Sequence, residues 1–110
     1  MKNALTMTVK NAPGHLYNSL SNALDKFIQL QKEQNSTYQL PNKMSCPYCN
    51  KSMFHKKKYP NASRYITGGH VIDINEEYIY LTPICNECNS PLKTDSFEVS
   101  IFNLPVLQKI

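Results

Sequence analysis

The sequence predicts a small α+β domain. Three observations carry this: an amphipathic helical stretch near the start, a change after Leu40 to short strand-like runs broken by turns, and two C-x-x-C pairs. At 110 residues and 12.6 kDa the chain has the length of one domain with a thin core. A composition that is 41% hydrophobic and 18% charged, with mean hydropathy −0.46, excludes a membrane-embedded chain and a disordered tail. Met1 to Lys10 lacks the apolar stretch of a secretion signal, and no run of about 18 apolar residues occurs, so a cytoplasmic location with reduced thiols is expected.

The first element is a helix over 14–34. Leu16, Leu20, Ala23, Leu24, Phe27 and Ile28 recur at helical spacing and make one apolar face. Pro13 and Gly14 mark its start; Asn35-Ser36-Thr37, with Pro41 beyond, marks its stop. The division expected is 1–40, helix and linker, and 41–110, the cysteine-bearing domain. Met53-Phe54 and Tyr59 read as arms of a small hairpin flanking a lysine run. Tyr65-Ile66 and Val71 to Ile74 read as short strands either side of Gly68-Gly69, and Tyr78 to Leu81 as a strand running into the second cysteine pair. Asn89 to Lys93 reads as a short helical turn. Phe97, Val99 and Ile101 alternate with polar residues and predict a last edge strand.

Cys46-Pro47-Tyr48-Cys49 and Cys85-Asn86-Glu87-Cys88 are separated by residues 50–84. Each pair can wrap one face of a metal, leaving Cys46, Cys49, Cys85 and Cys88 as four thiolates in a tetrahedron. Zn2+ favours that geometry and those soft ligands, with iron in the same thiolates as the rival. With no fifth ligand evident the site is closed and structural, able to supply on the order of 10 kcal/mol of folding free energy.

Gly69-His70-Val71, followed by Tyr80-Leu81-Thr82-Pro83-Ile84-Cys85-Asn86-Glu87-Cys88-Asn89 and ending near Lys93, resembles the core of the HNH nuclease superfamily, a treble-clef, ββα-metal unit. The resemblance covers about residues 44–96. It implies a structural four-cysteine zinc, His70 as general base toward water, and Asn89 as a ligand of a catalytic Mg2+ or Mn2+. The chain departs from the pattern at two places. Gly69 stands where a metal-ligating Asp or His is usual, and Tyr80 falls near the position of the Asn that orients the base. Glycine has no donor atom and a protonated phenol is a poor ligand. Asp73 would point to the opposite strand face from His70. The catalytic site therefore reads as degenerate. The alternative for His70 is a partly buried, hydrogen-bonded histidine, and for Asn89 a helix cap.

The net charge of +4 is unevenly spread: residues 1–34 come to +2, residues 35–70 to +6 with no acid, and the remainder to −4. Lys51, Lys56, Lys57, Lys58 and Arg64 in the middle block could follow a nucleic-acid backbone, with Tyr59 and Tyr65 as stacking surfaces, or form a solvated hairpin tip. No arginine pair presents a bidentate base reader. Three functions are carried forward. The first is a zinc-bearing HNH-like module binding nucleic acid, DNA more than RNA, with a degenerate catalytic site. The second is an active metal-dependent endonuclease using His70. The third is a protein-binding adaptor or inhibitor that uses the N-terminal helix. A membrane partner is not expected, because the polar face of the helix mixes Asn, Ser, Gln, Asp and Lys.

Overall fold

β-Branched, aromatic and aliphatic residues concentrate between Ile66 and Cys85, and they form the two longest strands, β4 (Ile66–Asp73) and β5 (Tyr78–Cys85). The computed structural model describes residues 5–18 and 20–110. The turn between these strands is built by Asp73, whose Oδ1 accepts the backbone N–H of Glu77 and of Tyr78, each at 3.0 Å. Glu76 completes it at φ 54°. Register runs from Ile66 opposite Cys85 to Ile72 opposite Ile79, so β5 delivers the second cysteine pair beside the start of β4.

Three further strands complete an antiparallel sheet: β1 (Thr6–Asn11), β6 (Phe97–Ser100) and β7 (Val106–Lys109), in the order β6-β1-β4-β5-β7. β1 is an inner strand, pairing Val9 with Asp73 on one side and with Phe97 on the other. Pro83 is tolerated within β5 because its nitrogen shares the parity of Leu81, whose N–H points away from β4 to Pro105 O. The β7 ladder has already ended at Val106 opposite Tyr80, so the missing donor interrupts no bond.

The helix expected over 14–34, of which Ser19 lies outside the described residues, is α1 (Ala23–Gln34), preceded by a single 3-10 turn at Gly14–Leu16. Its start is set by tertiary packing: the backbone of Ala23 and Leu24 rests on Gly68 of β4, where a Cβ would come within 2.6 Å. Asp25 in the first turn and Lys32 in the last suit the helix dipole. The helix buries Phe27 and Gln31, and Gln31 Nε2 donates to Phe102 O at 2.7 Å. Strand parity places Ile72, Ile79 and Leu81, all fully buried, on the same sheet face as Gly68. The opposite face carries Val9, Val71, Tyr80, Ile84, Phe97 and Val99, continuous with the cysteine cluster.

Local expectations around the cysteines are corrected in detail. The small hairpin is β2 (Lys43–Ser45) with β3 (Ser52–Phe54), and its tip is the first cysteine pair rather than the lysine run. The lysines follow β3 in a separate turn. Tyr65 to Ile74 holds one continuous strand, because Gly68 and Gly69 pair with Pro83 and Thr82 without a break. Asn89 to Lys93 is a turn closed by Lys93 N–H to Ser90 O at 3.0 Å, not a helix. β6 is an edge strand, as the alternation predicts, but it ends at Ser100 with Ile101 in a 3-10 turn, and β7 follows it, so it is not the last strand. Among the described residues no helix is long and apolar enough to cross a membrane.

Candidate metal centre and basic face

The two C-x-x-C segments are shaped by their own backbones. In the first, Cys46 N–H donates to Lys51 O at 2.9 Å and Asn50 N–H to Cys46 O at 2.8 Å, while Asn50 sits at φ 64°, a region asparagine tolerates. In the second, the N–H groups of Cys88 and Asn89 both reach Cys85 O, at 3.1 and 3.0 Å. Cys85 N–H donates to Cys46 Sγ at 3.5 Å and joins the two loops.

The sulfurs of Cys46, Cys49, Cys85 and Cys88 all lie within 4.8 Å of one another, and Cys49 and Cys85 are 3.9 Å apart. A tetrahedral ion with about 2.3 Å metal–sulfur bonds sets its ligands about 3.8 Å apart, so the cage matches zinc with small adjustment. All four cysteines are free thiols; three are buried and Cys49 is half-buried. Burial pushes the Cys46 thiol up. It pushes Cys88 well above the thiol range, with the neighbouring thiols of Cys85 and Cys49 adding to the shift. At Cys49 burial is outweighed by the Lys51 N–H and the neighbouring thiols, and the group falls below its ordinary value. Four thiolates gathered this closely would repel one another, and a divalent cation would supply the compensating charge. These residues can hold a metal ion such as zinc.

The second loop is clamped to its surroundings by side chains that the sequence did not single out. Asn86 Oδ1 accepts Tyr65 N–H at 2.9 Å and its Nδ2 donates to Ser63 O at 3.3 Å. From β1, Asn11 Nδ2 donates to Cys88 O at 3.1 Å and to Lys93 O at 3.0 Å. Nothing local marks Asn11 for this task, since its partners lie in the last quarter of the chain. Asn86 carried a signal: an amide inside a metal-binding loop has backbone groups to satisfy.

Asn89 is exposed, and its Nδ2 donates to Thr67 Oγ1 and to Gly68 O, both at 3.2 Å. Its Oδ1 lies 3.6 Å from where a Gly69 Cβ would stand, so it occupies the Thr67–Gly69 side of β4. His70 points to the other face by strand parity. There its ring stacks on Tyr17, centroids 3.9 Å apart, and its Nε2 is buried without a partner. Desolvation holds the His70 imidazole below its ordinary pKa and keeps it neutral. The structure thus does not bring His70 and Asn89 to one point. Among the described residues, the four cysteines form the one group of three or more His, Cys, Asp or Glu side chains able to share an ion. A catalytic Mg2+ or Mn2+ would lack a shared donor set at His70.

Of the basic residues, Lys56, Lys57 and Lys58 are exposed in a turn that follows β3. The turn is closed by the N–H groups of Lys58 and Tyr59 donating to His55 O, and by Lys57 N–H donating to His55 Nδ1 at 3.2 Å. His55 N–H anchors it to Asn42 O at 2.8 Å. The Lys56 ammonium lies 4.1 Å from the Tyr65 ring centroid, a cation–π contact. Lys51 is exposed beside the first cysteine loop. Arg64 is committed elsewhere: its Nη2 is 3.1 Å from Glu87 Oε1, which raises the guanidinium pKa further.

No family model matches this chain, and no curated protein or solved structure matches it.

Proposed function

We propose that the chain is a zinc-bearing module that binds nucleic acid through its basic face, with an HNH-like order of motifs and no working catalytic centre. The observation that carries the reading is the lysine turn. Three consecutive exposed lysines sit on a hydrogen-bonded loop directly after the β2–β3 hairpin that holds Cys46 and Cys49. A stretch of 36 residues, 35–70, contains no acid to neutralise them. Metal binding would fix that hairpin and so present the lysines in one orientation, which serves phosphate contact better than a mobile tail.

A catalytic role has less support. Gly69 offers no ligand atom, His70 is stacked beneath Tyr17, and Asn89 ties the second cysteine loop to β4 from the opposite face. An adaptor role through the helix is weakened too, because Phe27 on its apolar face is fully buried by the domain's own packing.

The test is fluorescence anisotropy of the zinc-loaded chain with labelled DNA across a salt series. Binding should weaken linearly in log–log form. Each lost phosphate contact flattens the slope by roughly 0.7 to 0.9, so changing Lys56, Lys57 and Lys58 together to Glu should reduce it by about 2 to 3. Unchanged binding in that variant would remove the lysine turn from the interface. Supercoiled plasmid with Mg2+ or Mn2+ should stay intact; nicking abolished by His70→Ala would replace this reading with the endonuclease.

A further inference from the structure

The lysine turn does not stand alone on the surface. It forms one wall of a groove of about 480 Å³ whose opposite wall is the first turns of α1 and whose floor is the start of β4. The two sides differ in chemistry. Leu24 and Ile28 give an apolar surface over the nearly fully buried Ile66, whereas His55, Lys56 and Lys57 line the other side. The contact with the Tyr65 ring, itself a lining residue, holds the Lys56 ammonium at the groove. Asp25 lies on the α1 side and repels an anion there, so a ligand with one charged end can sit in one orientation only, charge toward the lysines.

We propose that this groove takes one unpaired nucleotide of a nucleic-acid strand, its base against the apolar wall of α1 and β4 and its phosphates toward Lys56 and Lys57. The inference rests on the nucleic-acid reading above and narrows it to single-stranded or locally opened sites. The volume falls in the range of small-molecule clefts, about 300–1,000 Å³, which admits one nucleotide and not the width of a duplex. Charge complementarity selects a polyanion, and the apolar wall selects one whose flat bases are free to leave the stack.

The experiment compares a labelled single strand with the same sequence as a duplex, both bound to the full zinc-loaded chain at matched salt. The single strand should bind about tenfold tighter, the scale of burying roughly 55 Å² of apolar base surface against aliphatic side chains. Ser21→Gln, at an exposed position lining the groove just before α1, should fill it with a neutral side chain that has no aromatic face, and so abolish that preference while leaving the salt slope in place. Equal or tighter duplex binding, or a preference that survives Ser21→Gln, overturns the groove and leaves the lysine-turn reading standing. Absence of any nucleic-acid binding overturns both. Displacement of the strand by a poly-glutamate peptide of equal charge at equal concentration assigns the groove to acidic protein and overturns the proposal. The wild-type comparison of strand and duplex needs no variant, so it decides even if Ser21→Gln folds poorly.

Discussion

Gly68→Ala tests how α1 is seated, because two effects of opposite sign meet at one methyl group. The glycine has no positive φ, so alanine is conformationally allowed, and stiffening the unfolded chain would by itself stabilise by about 0.4–1 kcal/mol. The new Cβ would, however, lie 2.6 Å from the carbonyl carbon of Ala23, 2.6 Å from the nitrogen of Leu24 and 2.8 Å from the oxygen of Ala23. These are backbone atoms at the start of α1, so no rotamer change relieves them. Reaching ordinary contact at 3.4 Å requires the helix to retreat by about 0.8 Å from strands it packs against over buried side chains. Overpacking of this kind costs about 1–3 kcal/mol, so the steric effect wins and the net loss is roughly 1–2 kcal/mol. Urea unfolding of the zinc-loaded chain, followed by far-UV circular dichroism at fixed free zinc, should show a lower midpoint with an unchanged slope. In thermal melts the same loss is a drop of roughly 4–8 °C. Gly14→Ala is the control: no atom lies within 4 Å of its Cβ position, so it should be neutral or slightly stabilising. A Gly68→Ala protein as stable as the wild type would refute the close seating of α1 on β4.

Two further outcomes follow from the metal centre and the buried histidine. Cys85→Ser should leave the chain unfolded or aggregated, because structural zinc supplies on the order of 10 kcal/mol to a small domain whose whole stability is about 5–15 kcal/mol; a well-folded variant without metal refutes the structural role. His70 has its folded-state pKa depressed below 6.5 by burial, so the unfolded chain binds the proton more readily. Its contribution to stability is therefore complete above the unfolded value and lost as pH falls through 6.5 toward the folded value. His70→Phe keeps a ring against Tyr17, so the stability of wild type relative to this variant should fall between pH 7.5 and about 5.5. A pH-independent difference would show that His70 is not held neutral by burial.

The features legible in the sequence are those set by near neighbours. The four cysteines announce themselves by spacing, and the folded chain gathers their sulfurs within 4.8 Å. The strands β4, β5 and β6 are rich in buried apolar residues, so their existence could be read although their exact bounds could not. The α1 turns from Ala23 onward carried the apolar periodicity. Leu16 and Leu20 continued the same spacing backwards, yet they lie outside the helix, which starts where its backbone meets Gly68. β1 is not legible in the sequence because its buried-face signal is only Met7 and Val9, nor is β7, because most of its residues stay exposed at a sheet edge.

By itself the sequence determined chemistry that travels with short spacing: four cysteines spaced so that they could hold one metal ion, an acid-free basic stretch, an amphipathic helix and strand-forming runs. Only the tertiary structure decided which of these share a surface. Whether His70 and Asn89 meet depends on strand parity and on what covers each face of β4, and both are set by residues far away in the chain. Arg64 reads as a free cation until Glu87 is folded against it, and the lysine turn reads as a solvated tip until α1 stands across from it. The physical reason is the same in each case. Metal-loop and helical patterns depend on contacts a few residues apart, whereas sheet pairing and burial join segments whose proximity no local pattern encodes.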